Sequence, residues 1–201
     1  TLLNLMGGLI KPNSGQVWLH GPHGPAVYDL YLQGQVAYLP QTIALWPGTL
    51  RDNLQPPQHP VSDKQLIEVC QTVGLMSLIN THTEGLSMTL DESISGVSLG
   101  QRQLIGLARL FLLKPVVWLL DEPLAHLSFA VRTKVAQALA QLIKADQTLI
   151  CVGEHSALVS MSYRMVVMNS GRMILDGPAT LVSQEWEAHK RRIEEASLRF
   201  I

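Results

Sequence analysis

Residues 116–123, Val-Val-Trp-Leu-Leu-Asp-Glu-Pro, allow few folds. Five consecutive apolar residues are too short a run for a helix of their own, and no position among them is polar enough to face water. Such a run suits a strand buried on both faces, as in the centre of a parallel sheet. Asp121 and Glu122 then emerge together at its C-terminal end, the ligand side of an open α/β sheet. About twenty residues upstream lies Val97-Ser98-Leu99-Gly100-Gln101-Arg102-Gln103. Ser98 stands where a helix N-cap belongs. The periodicity of Leu104, Leu107, Ala108, Phe111 and Leu112 predicts a helix over residues 99–113, stopped by Lys114-Pro115.

The remainder reads as alternating helices and strands. Residues 1–10 are expected to be helical, with Leu2, Leu3, Leu5, Met6 and Leu9 on one face. Residues 16–20 alternate as a half-buried strand does, 21–25 form a Gly/Pro-rich loop, and 36–39 form a short strand running into Pro40-Gln41. A helix capped by Ser62 or Asp63 uses Leu66, Val69, Cys70 and Val73 and stops at Gly74. A second short helix covers 75–80, and 84–97 is a polar loop. Ser128 can cap a helix to about residue 144, and 148–152 is another buried strand. Asn169-Ser170-Gly171 between apolar segments signals a hairpin, followed by a charged helical tail over 183–201.

Composition excludes several classes. At 201 residues the chain is one domain, or one domain with a subdomain, and 47% apolar content supplies a sizeable core. Lys and Arg number 15 against 16 Asp and Glu, so no field draws nucleic acid. Cys70 and Cys151 lack CxxC spacing and read as buried thiols, and the histidines show no metal-ligand spacing. No apolar run reaches the roughly 18 residues of a membrane span. Without an initiator Met or a basic leader, the start reads as a piece cut from something longer.

In order and spacing, the 97–103 and 116–123 segments resemble the signature and Walker B motifs of the ATP-binding cassette (ABC) ATPases. The resemblance covers nearly the whole chain. It implies an α/β, RecA-like P-loop NTPase core (residues 1–54 and 114–201, the latter including the C-terminal tail) and a helical subdomain over 55–113. No Gly-x-x-x-x-Gly-Lys-Ser/Thr phosphate loop occurs. Thr1 matches the last residue of that loop, so the N-terminal strands, the remaining loop residues and the adenine-stacking aromatic are expected upstream. Leu39-Pro40-Gln41 resembles the Q-loop, which implies that Gln41 reaches nucleotide-bound Mg²⁺ or water. Ser98, Gly100 and Gln101 fit the Leu-Ser-Gly-Gly-Gln signature, with Leu99 replacing its first Gly, and are implied to bind nucleotide. Asp121 is implied to hold Mg²⁺ through water, and Glu122 to polarise the attacking water. His155, about 33 residues after Glu122, matches the H-loop His. The D-loop Asp of the family is replaced by Ser128.

The stretches around Trp46 and over 84–98 are similar to exporters, and those over 84–98 and 173–178 to type I secretion exporters in particular. The resemblance implies ATP and Mg²⁺ as cofactors. It implies as partners a transmembrane domain and a second nucleotide-binding domain in a head-to-tail dimer, at the cytoplasmic face of the membrane. Two other readings stand beside the exporter. One is a non-hydrolysing or regulatory module that lacks its own phosphate loop, which Ser128 favours and Glu122 with His155 oppose. The other is a soluble ABC ATPase of DNA repair or translation, which the balanced charge and the exporter-like stretch oppose.

Overall fold

Strand β6 (Val117–Asp121) is the middle of a three-stranded parallel sheet, flanked by β3 (Val36–Leu39) and β7 (Thr148–Val152). Trp118, Leu119 and Leu120 are buried on its two faces, as its apolar run requires. The computed structural model describes residues 1–21, 24–27, 35–55, 60–90 and 96–198. They form two compact units, Thr1–Gly153 and Glu154–Ile201.

In the first unit, helix α1 (Leu2–Met6) packs on β6. It is shorter than the 1–10 helix read from its leucines, because Gly7 and Gly8 end it, Gly8 in a left-handed conformation at φ 68°. Strands β1 (Trp18–Gly21) and β2 (Gly24–Val27) pair antiparallel. The loop expected over 21–25 is therefore mostly paired backbone, while Pro22 and His23 lie outside the described residues. Strand β4 (Gly48–Thr49) runs directly into helix α2 (Leu50–Leu54). Helices α3 (Asp63–Val73) and α4 (Met76–Thr81) follow as expected. Ser62 and Gln65 close a capping box on α3, and Gly74 stops it at φ 88°. The polar segment over 84–97 is not wholly loop. It holds a 3₁₀ turn at Gly85–Ser87 and strand β5 (Thr89–Leu90), which pairs with β4; residues 91–95 lie outside the described part.

Helix α5 (Leu99–Leu113) has the predicted limits but a wider buried surface than one face. Gln103, Leu104, Ile105, Gly106, Leu107, Ala108, Leu110 and Phe111 are all buried, because α2, α3 and β3 pack around it. Leu112, placed on the core face by periodicity, is only half-buried. At Gly106 a methyl group would lie 2.7 Å from Ile43 Cδ1 and 2.8 Å from Leu39 Cδ1, so its absence lets α5 lie against β3. Helix α6 (Phe129–Leu142) also packs on α3. Ser128 occupies its N-cap position, yet its side chain makes no capping bond, unlike Ser98 on α5. Strand β7 is half-exposed rather than buried, since β6 is its one sheet neighbour among the described residues.

The second unit contains helix α7 (Ser156–Met161), the hairpin β8 (Arg164–Asn169) and β9 (Arg172–Pro178), and helix α8 (Ala179–Leu198) packed on that hairpin. Ser170 and Gly171 take φ values of 48° and 75°, the left-handed pair that a tight hairpin needs. Across the strands Arg164 donates twice to Asp176 at 2.7 Å, and these bonds hold the Asp176 carboxyl below its ordinary range.

One long-range cluster fixes the segment between β3 and α2. Arg109 of α5 donates to the carbonyls of Asn53 (2.6 Å) and Ala44 (2.9 Å) and to Asn53 Oδ1 (3.1 Å). Its guanidinium also lies 4.0 Å from the Trp46 ring centre. Buried Asn53 donates in turn to the carbonyls of Trp46 and Thr49. Burial pulls the Arg109 guanidinium down to about 10, which leaves it charged at neutral pH. A lysine offers no planar fork for three separate acceptors. Arg109→Lys is therefore expected to cost about 2 kcal/mol in urea denaturation, with faster amide hydrogen exchange concentrated in residues 44–54.

Candidate functional site

The C-terminal ends of β3 and β6 lie side by side, because Leu39 is in register with Leu120. Asp121 closes β6 and is half-buried. Tyr38 reaches it from β3, its hydroxyl donating to Asp121 Oδ2 at 3.3 Å. Burial, then the charge of Asp121 and this bond, raise the Tyr38 phenol above its ordinary value. Gln41, two residues beyond β3, sits exposed at the same end of the sheet.

Glu122 follows Asp121 with φ 50°, the left-handed region that side-chain-bearing residues rarely adopt. Its backbone is held at both ends. Its N–H donates to the Val152 carbonyl of β7 at 2.9 Å. Its carbonyl accepts from Ala125 N–H at 3.1 Å and from Gln103 Nε2 of α5 at 3.1 Å. The turn sends the chain back across the sheet end, where buried Leu124 and Leu127 anchor the loop before α6. His126 and Ser128, between and beyond those anchors, are exposed.

Helix α5 meets this loop at its first turn. Ser98 and Gln101 form a capping box, with Gln101 N–H donating to Ser98 Oγ at 3.2 Å and Ser98 N–H to Gln101 Oε1 at 2.8 Å. Gly100 lies against the loop backbone, where a methyl group would come within 2.6 Å of the His126 carbonyl oxygen. Leu99 points to solvent at 62% exposure. The structure thus joins the Ser98–Gln101 turn to the Asp121–Glu122 loop through Gly100 and Gln103. Thr1 is exposed at the N-cap position of α1 with no side-chain capping bond. His155 belongs to the second unit, where it is the N-cap residue of α7.

Sequence reasoning missed Tyr38, Gln103, Arg109 and Asn53. Gln103 and Arg109 left a trace, as polar residues beside or within the apolar stretch of α5, and Gln103 is 1% exposed. Of the two thiols read as buried, Cys70 is buried and Cys151, on half-exposed β7, is only half-buried; burial pushes both up to about 12.

An acidic strand end on a parallel sheet, with a capped helix terminus seated on the following loop, places the chain among α/β proteins with their ligand side at the strand C-termini. The sequence profile of the ABC transporter family matches residues 1–125, and the chain belongs to that family. Its sheet and helices are those of the family's RecA-like P-loop NTPase core. The chain is similar to the "Glutathione/L-cysteine transport system ATP-binding/permease protein CydC" of Haemophilus influenzae, 30% identical over 96% of this chain and 34% of that protein. It is also similar to the "Uncharacterized ABC transporter ATP-binding protein YfiC" of Bacillus subtilis, 27% identical over 88% of this chain and 29% of that protein. A further relative is the "Vacuolar heme ABC transmembrane exporter abc3" of Schizosaccharomyces pombe, 28% identical over 100% of this chain and 13% of that protein. The chain spans about a third or less of the length of these curated relatives.

Two outcomes follow from this geometry. Gly100→Ala forces a methyl group onto a backbone carbonyl rather than onto a yielding side chain. It is expected to cost about 1–3 kcal/mol by denaturant unfolding and to shift the amide resonances of residues 123–128. In ultraviolet difference titration of wild type against Tyr38→Phe, the Tyr38 phenol is expected to ionise above pH 10, the ordinary tyrosine value.

Proposed function

We propose that this chain is an ATP-binding and hydrolysing domain that powers export across a membrane in an ABC transporter. The observation carrying this reading is the end of β6. Asp121 and Glu122 stand on adjacent residues, and the Glu122 backbone is fixed by three hydrogen bonds. Phosphoryl transfer asks little covalent chemistry of a protein; it asks for a metal clamp, an oriented water and charge stabilisation.

The donor set suits Mg²⁺ delivered with nucleotide. The described residues hold no group of three or more His, Cys, Asp or Glu side chains able to bind a metal alone. Asp121 and Gln41 instead offer hard oxygens at one sheet end, and Mg²⁺ commonly takes one or two protein oxygens plus phosphates and water. When bound, Mg²⁺ supplies charge neutralisation at the phosphoryl oxygens. Tyr38 orients the Asp121 carboxylate by donating to its Oδ2. Glu122 positions and polarises the attacking water, and His155 contacts the γ-phosphate. Thr1 takes part in nucleotide binding, as its match to the last residue of a phosphate loop implies.

Ser98, Gly100 and Gln101 serve the nucleotide of a second nucleotide-binding domain in a head-to-tail dimer. A helix N-terminus carries free N–H groups and partial positive charge, which suits a γ-phosphate. The balanced charge supports protein and nucleotide partners rather than nucleic acid. No described helix is long and apolar enough to cross a membrane. In this reading the partner that supplies the pathway is a transmembrane domain, with this domain at its cytoplasmic face. The relatives, an ATP-binding/permease protein and a transmembrane exporter among them, support the export assignment.

In the full-length protein, Glu122→Gln is expected to lower ATP turnover on the order of 100-fold or more while retaining bound ATP; wild-type turnover removes Glu122 from this role. Ser98→Arg, added to Glu122→Gln, is expected to abolish ATP-driven dimerisation in size-exclusion chromatography and to spare nucleotide binding. Dimerisation by the double variant leaves Ser98 as a helix cap only.

A further inference from the structure

We infer that Gln103 is a positioning residue for the reaction: its side chain holds Glu122 in its left-handed conformation and thereby aims the Glu122 carboxylate. The inference rests on the reading of Glu122 as the residue that orients the attacking water. Gln103 is 1% exposed on a helix otherwise buried through apolar side chains, and a buried amide persists where it has a partner to satisfy. Its Nε2 donates across 19 residues of sequence to the Glu122 carbonyl at 3.1 Å. That carbonyl already accepts the Ala125 N–H within the turn, so the turn does not need Gln103 to close. What the second donor adds is a fixed point outside the turn, on α5.

The left-handed conformation is intrinsically unfavourable for a residue with a side chain, whose Cβ crowds the following carbonyl oxygen. Val152 holds the N–H side of Glu122 and Gln103 the carbonyl side, so rotation of either peptide plane breaks a bond. The direction of the Cα–Cβ bond follows from those two planes. Gln103 lies about one helical turn beyond Gly100, which bears on the His126 carbonyl oxygen of the same loop. Movement of α5 would thus be felt at Glu122 and at the loop together. The carboxylate position is tied to the helix whose first turn carries Ser98.

The test uses the full-length protein and steady-state ATP hydrolysis, in wild-type and Glu122→Gln backgrounds. Gln103→Met keeps side-chain length and removes the donor. In the wild-type background it is expected to lower kcat about 10-fold or more and to leave KM for ATP within about two-fold, since a mispositioned group loses transition-state stabilisation rather than ground-state binding. In the Glu122→Gln background the same change is expected to have no further effect on the residual rate, because the group it positions is already gone. Gln103→Asn, which stays polar but withdraws the donor by one methylene, carries the same expectations if the Met variant does not fold. Equal losses in both backgrounds mean that Gln103 supports the fold alone and overturn the proposal. So does wild-type kcat in the Gln103 variants while Glu122→Gln is inactive, which leaves the role of Glu122 intact. Wild-type turnover in Glu122→Gln itself overturns the underlying reading and this inference with it.

Discussion

A residue with a side chain stays in a left-handed conformation only where its surroundings determine it, and at Glu122 three elements do so. Strand β7 holds its N–H, helix α5 holds its carbonyl, and the turn to Ala125 closes over it. Each hydrogen bond contributes about 1 kcal/mol net, enough together to offset the unfavourable backbone. The consequence is directional. A strand that continued straight would carry Pro123 and Leu124 into solvent. The left-handed step turns the chain, so that Leu124 and Leu127 return to the core while two carboxylates remain at the sheet end. An apolar strand and a charged terminus are reconciled at one residue.

Much of this fold was legible because its signals are local. The capping boxes of Ser62 with Gln65 and of Ser98 with Gln101 span four residues each, and Gly74 and the Ser170-Gly171 pair announce their own backbone angles. The double-faced apolar run of β6 could be read without knowing its neighbours. What stayed hidden is what connects distant segments. Tyr38 finds Asp121 across 83 residues and Arg109 finds Asn53 across 56, and neither pair has any periodicity that sequence could display. Exposure was misread for the same reason. Strand β7 looks like β6 in composition, yet it is half-exposed because burial depends on how many strands flank it. At the N-terminus, five leucine-type residues suggested a long helix, but two glycines outweighed their periodicity.

The candidate site was legible as a set of residues and not as an arrangement. Ser98, Asp121 and Glu122 were all named from spacing. The pattern named Gly100 for nucleotide binding rather than packing and gave Gln103 no role, yet these are the two residues through which α5 touches the loop after β6. Both lie within the segment that drew attention to the helix. One is an amide where an apolar residue would pack as well, and the other a glycine whose neighbour is a backbone carbonyl.

The two glycines of the Leu-Ser-Gly-Gly-Gln pattern are separated by this chain, which keeps the second and replaces the first. The structure gives the difference a physical meaning. Gly100 is required from within, because a methyl group there meets the His126 carbonyl oxygen at 2.6 Å. Leu99 is 62% exposed on a helix that forms normally around it, so nothing inside the chain demands glycine at that position. Ser128, where the pattern has Asp, is likewise exposed and makes no capping bond, and Phe129 beside it is 83% exposed. The departures from the family pattern therefore fall where the fold is indifferent. Any constraint on residues 99 and 128 comes from what approaches the surface, whereas the constraint on Gly100 is the packing of α5 on its own loop.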